Sequence, residues 1–124
     1  MNSEELKNRT KKMAVRVVHL VEALPRNRVS DVLGKQLLRS GTSVGANYRA
    51  VCRAKSSADF LNKLKMVEEE CDESSYWMEL LIETGQMKPA RLANLMKETD
   101  EILSIVVAAA KTARTSSAPQ PRKS

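Results

Sequence analysis

The chain has 124 residues, of which 42% are hydrophobic but only 3% aromatic, and its formal net charge is +6. This length suits one domain, and so few aromatic residues argue against a β-sandwich and favour long helices with an aliphatic core. The sequence contains no signal-peptide pattern and no apolar run of about eighteen residues, the length that would suggest a membrane span. We therefore expect a soluble cytoplasmic protein.

Two helices are predicted in the first 54 residues. The first runs from Ser3, a possible cap before an acidic turn, to about Leu24, where Pro25 disfavours further helix. The second begins near Ser30, which can cap it, and continues to about Ala54. Their apolar seams, spaced at helical period, contain Met13, Val17, Leu20 and Leu24 in the first helix and Leu33, Leu37, Gly41, Val44, Tyr48 and Val51 in the second.

Two further helices follow. Ser56 and Asp59 resemble a capping box with aspartate in place of glutamate, Gly85 is typical of a helix end, and Pro89 suits a first turn. Their seams contain Phe60, Leu64, Val67, Cys71, Ser74, Met78 and Leu81, then Leu92, Leu95, Met96, Thr99, Ile102, Val106 and Ala110. Short connections between long helices predict an all-α, antiparallel up-down-up-down four-helix bundle over residues 1–114. Residues 115–124 are expected to form a disordered basic tail.

The glycine-rich stretch "GTSVG", from Gly41 to Gly45, raises the question of a phosphate-binding loop. Such a loop needs a preceding strand and a closing Gly-Lys-Ser/Thr, and both are absent here. The stretch instead continues the helical period of its surroundings. Beside the apolar seam runs a stripe of small or uncharged residues, which lets another helix approach closely: Gln36, Ser40, Ser43, Asn47, Ala50 and Ala54.

Charge is distributed unevenly along the chain. Residues 56–85 carry two Lys/Arg against eight Asp/Glu, whereas every other part of the chain is basic. One interpretation is ion pairing between the basic helices and the acidic third helix. The other is backbone-directed nucleic-acid binding, without a sequence-reading motif. The candidate residues for binding are Lys11, Lys12, Arg16, Lys35, Arg39, Arg49, Arg53 and Lys55.

The acidic segment "EEECDESSYW" could hold a catalytic or metal-binding pair, Glu70 and Glu73. A di-metal bundle needs Glu-x-x-His from two helices, but the only histidine, His19, lies in the first helix without such a partner. We therefore expect no catalytic residue, metal or cofactor. The two glutamates are expected to accept hydrogen bonds from the polar stripe or to pair with arginines. The candidate stripe donors are Ser40, Ser43 and Asn47.

The few aromatic residues are expected to anchor packing in the core or at an interface, with base stacking a lesser alternative for Tyr76 and Trp77. Tyr48 and Phe60 are the other two anchors. Cys52 and Cys71 are expected to be buried thiols on helix faces, since both stand alone. The first helix has a wider apolar face than one seam requires, which favours oligomerisation.

Two stretches together resemble a known family. "QLLRSGTSVGANYRAVCRAKSSADFLNKL" followed by "EEECDESSYWMELLIETG" is similar to the four-helix-bundle proteins encoded in intervening sequences of bacterial 23S ribosomal RNA genes. The resemblance spans residues 5–113 and includes Ser43, Asn47 and Tyr48 in one block. A second block contains Glu70, Glu73, Tyr76 and Trp77. The usual "NIAEG" of the family is "NYRAV" here, which indicates a subgroup.

The resemblance implies a bundle that assembles as a homopentamer. It extends distantly to the accessory variability protein of diversity-generating retroelements, a basic pentamer that works with a reverse transcriptase and nucleic acid. It brings no catalytic residues. Two functions follow as hypotheses: a homo-oligomer that binds RNA or DNA through a basic surface, or a protein-interaction scaffold. An enzyme using Glu70 and Glu73 is the weakest alternative.

Overall fold

The computed structural model describes residues 1–117, with side chains through Thr115, as four helices. They are α1 (Ser3–Glu22), α2 (Arg28–Val51), α3 (Ser57–Glu83) and α4 (Pro89–Ser117). Each helix contacts the next and α4 contacts α1, while diagonal helices within this part of the chain do not approach within 8 Å between Cα atoms. This arrangement confirms the predicted four-helix bundle. None of these helices has the length and apolar character needed to cross a membrane.

The first two helices begin at caps other than those predicted. Asn2 Oδ1 accepts a hydrogen bond from the Glu5 N–H at 2.8 Å, and Asn27 Oδ1 accepts one from the Ser30 N–H at 2.8 Å. Asparagine caps helices as well as serine does, so each helix begins directly after its asparagine. Ser3 and Ser30, the predicted caps, therefore lie inside α1 and α2.

The start of α3 follows the prediction in a modified form. Ser56 Oγ accepts from the Asp59 N–H at 3.1 Å, while the Asp59 carboxylate reaches back to the Lys55 N–H at 3.0 Å. Lys63, one turn onward, donates to the same carboxylate at 2.7 Å. These contacts hold the pKa of Asp59 below its ordinary value, with the Lys63 hydrogen bond as the main cause.

Two helix connections meet at one end of the bundle, which we call the upper end. Gly85, with φ of +75°, ends α3 as predicted, and the Gln86 N–H donates to the Leu81 carbonyl at 2.9 Å. This pattern belongs to the glycine-based helix ending that needs a left-handed residue. The Gln86 side-chain oxygen then accepts from Asn27 Nδ2 at 2.9 Å and Ser30 Oγ at 2.8 Å. One glutamine thus joins both connections.

The core is aliphatic and follows the predicted seams. Predicted residues near the helix ends, including Leu20, Leu24, Leu33 and Phe60, are only partly buried. The largest fully buried side chains come from all four helices: Met13, Val17, Leu37, Val44, Leu64, Val67, Met78, Leu81, Leu92, Ile102 and Val106. α4 continues through Ser117, past the predicted end of the bundle, and the remainder of the predicted tail lies outside the described residues.

Glycines in α2 allow α1 to come unusually close. A Cβ added at Gly41 would lie 2.8 Å from Val17 Cγ2, and one at Gly45 would lie 3.3 Å from the Thr10 backbone. The predicted close approach of a neighbouring helix to α2 therefore exists, but the contact with α1 is made by glycines and not by the small-residue stripe. Ser40, from the predicted small-residue stripe, instead contacts α3, where Ser74 Oγ donates to Ser40 Oγ at 3.0 Å.

We expect Gly41→Ala to destabilise the protein, although alanine is the better helix former by about 1 kcal/mol. The new methyl group would overlap Val17, and such overpacking costs about 1–3 kcal/mol. Urea unfolding should show a net loss that Val17→Ala partly reverses in the double variant. Gly34→Ala is the matched control, because its Cβ meets the flexible end of Leu24 at 2.9 Å and otherwise only Val21 Cγ1, at an ordinary contact distance of 3.4 Å. Equal stability changes at both glycines would contradict this account.

Candidate nucleic-acid interface

Four basic side chains converge between α1 and α2, at the lower end of the bundle, where the α2–α3 connection and the start of α1 meet. We call this surface the basic groove and define it by Lys7, Lys11, Arg49 and Arg53. They line a depression of about 310 Å³ together with Glu4 and Asn8. An adjoining depression of about 240 Å³ shares three of these cations and continues along the helices over small residues: Ala14, Thr42, Gly45 and Ala46.

Helical spacing explains why the cations converge. Lys7 and Lys11 are four residues apart on α1, as are Arg49 and Arg53 on α2, so each pair spans one turn of about 6 Å. Gly45 lies one turn before Arg49 on α2, and at this glycine α2 packs against the Thr10 backbone of α1. The close helix approach therefore sets the width of the groove.

The groove retains most of its positive charge. Among the residues with described side chains, Lys11, Arg49 and Arg53 have no carboxylate within 4.0 Å. Lys7 pairs with Glu4 at 3.2 Å, but Glu4 is 76% exposed. Exposed ion pairs contribute little free energy, so a phosphate could replace Glu4 as the partner of Lys7.

The structure does not bring the other five predicted cations into this groove. Lys12 and Arg16 line another depression on α1, which shares Asn8 and Lys11 with the groove. Arg16 is near enough to Glu98 of α4 to help lower the pKa of that carboxyl group. Lys35 is exposed near the start of α2, away from Arg49. Lys55 lies beyond α2, where its backbone N–H bonds to Asp59.

Arg39 is already engaged by the two glutamates of the acidic segment. Its Nη1 lies 3.1 Å from Glu70 Oε2 and its Nη2 lies 2.7 Å from Glu73 Oε1. Glu70 is only 16% exposed, and this burial raises its pKa, opposed by Arg39 and reinforced by Glu73 and Glu69. Arg39 thus joins α2 to α3. Its guanidinium is already paired with two carboxylates, whereas that of Arg49 has no carboxylate partner among the described side chains.

The predicted stripe donors do not reach these carboxylates. Ser40 Oγ donates to the Leu37 carbonyl at 3.3 Å, and Ser43 Oγ donates to the Arg39 carbonyl at 2.6 Å. Asn47 is half-buried and donates to neither glutamate. Hydroxyls inside a helix commonly donate to the carbonyl of the preceding turn, which explains why these serines do not donate to the α3 glutamates.

A second cross-helix ion pair was missed at the sequence level. Arg9 donates through Nε to Glu98 Oε2 at 2.9 Å and through Nη2 to Glu101 at 3.2 Å, and it also bonds to the other Glu98 oxygen. The hydrogen bond from Arg9 lowers the pKa of Glu98. Arg9 and Lys7 both lie at helical spacing beside the apolar seam, but spacing alone does not reveal which helix each one faces.

A larger depression, the end cavity, opens at the lower end beside the groove. Its volume is about 580 Å³, and it is lined by Ser3, Tyr48, Val51, Cys52, Ala54, Lys55, Ser56, Ser57, Phe60 and Ala113. Cys52 is exposed, contrary to the prediction, because α2 ends at Val51 and leaves Cys52 as its cap. Burial and the neighbouring Cys52 raise the pKa of Tyr48 to about 12.

The remaining predicted side chains lie away from the lower end. Cys71 is buried as expected, and burial raises its pKa to about 12. Trp77 is half-buried in the bundle, while Tyr76 is 53% exposed and packs edge-on against it with ring centroids 5.1 Å apart. Tyr76 therefore lies on the surface of α3 and not in the core, because its position falls on the outer face of the helix.

Comparisons with known proteins agree with this architecture. The family described as 23S rRNA-intervening sequence protein matches residues 3–108. A solved structure from Bacteroides thetaiotaomicron VPI-5482, a protein with unknown function from the S23 ribosomal protein family, is 37% identical. The alignment covers 90% of this chain and 99% of that chain, with a TM-score of 0.83. No curated protein matches the chain.

Glu70 and Glu98 are expected to affect acid stability in opposite directions. The raised pKa of Glu70 contributes stability below its ordinary value of 4.5 that is lost as pH rises through the folded-state pKa. The lowered pKa of Glu98 contributes stability above 4.5 that is lost as pH falls. The test is to subtract the unfolding free energy of each variant from that of the wild type at a series of pH values. As the pH falls from neutral to acid, this difference should increase for Glu70→Gln and decrease for Glu98→Gln. Slopes of the same sign would contradict the assignment.

Proposed function

This chain belongs to the 23S rRNA-intervening sequence protein family, and we propose that it is a non-enzymatic cytoplasmic protein that binds nucleic acid, RNA above all, through the basic groove. One observation carries the proposal: Lys11, Arg49 and Arg53 converge on a concave surface without a carboxylate partner among the described residues. A cluster of unpaired cations attracts polyanions, and nucleic-acid phosphates are a ligand that matches several cations in a row.

The groove suits recognition of the phosphate backbone and not of base sequence. Its charged groups are lysine and arginine side chains, and its floor consists of small residues such as Ala14 and Gly45. Contacts of this kind fix the position of a strand but carry no sequence information. Binding is therefore expected to be salt-dependent and tolerant of sequence.

A protein-interaction scaffold is the second candidate function, and the outer face of α3 supports it. Four exposed carboxylates lie there at helical spacing: Glu69, Asp72, Glu79 and Glu83. α1 also exposes Val15 and Val18. These surfaces suit contacts with a basic partner or with further copies of the chain. We propose a homo-oligomer, with five subunits as the number that the family resemblance implies, and a reverse transcriptase-type protein as one possible partner.

Replacing Arg49 and Arg53 by glutamine should weaken binding to a structured RNA and to a matched DNA duplex. For duplex DNA, each lost phosphate contact should reduce the slope of log affinity against log salt by about 0.9. Fluorescence anisotropy across a salt series measures both quantities. The matched control is Lys88→Gln with Arg91→Gln, which removes equal charge from exposed positions at the upper end. Equal losses in both double variants would indicate a general charge effect and contradict the groove assignment.

The scaffold hypothesis makes a separate prediction about native mass. Glu69→Lys with Glu79→Lys should reduce the native mass if the acidic face joins subunits, because like charges would then meet across the interface. Glu22→Lys with Asp100→Lys is the charge-matched control on other faces. Light scattering measures the mass, and anisotropy measures RNA affinity in parallel. An unchanged mass in the Glu69/Glu79 variant would remove this face from subunit assembly.

A further inference from the structure

The end cavity and the basic groove share a rim. Arg53 lines the groove, whereas Cys52 and Ala54, on either side of it in the chain, line the end cavity. The same alternation occurs at the start of α1, where Glu4 lines the groove and Ser3 the cavity. A ligand lying along the groove at Arg53 therefore reaches the mouth of the cavity within one residue's width.

The cavity differs from the groove in chemistry. Its lining combines apolar or aromatic side chains with polar ones: Tyr48, Val51 and half-buried Phe60, and also Ser3, Lys55, Ser56 and Ser57. Aromatic and apolar side chains next to polar groups suit a flat heterocycle, whose faces stack while its edge forms hydrogen bonds. A volume of about 580 Å³ is ample for one such ring system.

We infer that the end cavity binds an unpaired base of the nucleic acid whose phosphates lie in the basic groove. This inference rests on the proposed function and narrows its ligand to a strand with an unpaired nucleotide or single-stranded end. Bases inside a duplex are stacked and paired, so they cannot enter the cavity without being extruded. An unpaired base is free to stack on Phe60 while Lys55 contacts a neighbouring phosphate.

Two RNAs test the inference: a blunt hairpin, and the same hairpin with a short single-stranded overhang containing 2-aminopurine. The wild type should bind the overhang RNA about tenfold more tightly, the scale of one stacked base, and should change the 2-aminopurine fluorescence. Phe60→Leu keeps an apolar side chain but removes the ring, so it should bind both RNAs with the affinity of the blunt form. Phe60→Tyr retains the ring and should retain the preference.

A second variant tests the cavity independently, in case Phe60→Leu disturbs the fold. Ser57 is exposed in the first turn of α3 and lines the cavity, so Ser57→Leu should obstruct part of the cavity without disturbing the core and should also reduce the preference. Thermal melting verifies the fold of each variant. If the wild type binds both RNAs equally, or if the preference survives in Phe60→Leu and Ser57→Leu, the cavity inference is wrong and the groove proposal stands. If neither RNA binds at low salt, both fail.

Discussion

The close packing of α2 against α1 at glycines is the constraint on which the candidate site depends. At Gly41 a side chain would overlap Val17, and at Gly45 it would press on the Thr10 backbone. Because α2 has no side chain at these two positions, Val17 and the Thr10 backbone of α1 pack directly against it. Lys7 and Lys11 thereby come beside Arg49, and the interhelical surface becomes a groove lined by cations with a floor of small residues.

The cross-helix ion pairs lie on other sides of the bundle. Arg9 joins α1 to α4 through Glu98, and Arg39 joins α2 to α3 through Glu70. Among the described side chains, no ion pair crosses between α1 and α2. These two helices meet through glycines and core side chains instead, so the cations beside them are not paired across this contact. The interpretation that the acidic helix neutralises the basic ones therefore applies to Arg39 but not to the groove.

The sequence predicts the helices well because apolar periodicity and turn residues are local signals. The seams, the glycine end of α3 and Pro89 at the start of α4 all follow from spacing and backbone chemistry. Competing caps such as Asn2 and Ser3 differ too little in free energy for the sequence to decide between them. The partners of charged residues depend on which neighbour a helix face meets, and periodicity does not contain that information. Five of the eight candidate cations consequently lie outside the groove, and Lys7, which lines it, was not among the candidates.

The two ends of the bundle differ in a way that follows from this topology. At the upper end, Gln86 bonds to Asn27 and Ser30 and uses the polar groups of both connections internally. At the lower end, one connection lies beside the start of α1, and its Lys55 side chain remains beside a cavity. Cations at a concave surface reinforce one another's field, and the groove supplies four of them within about one helical turn along each helix. Under the proposed function, a polyanion bound at the lower end therefore also has the end cavity within its reach.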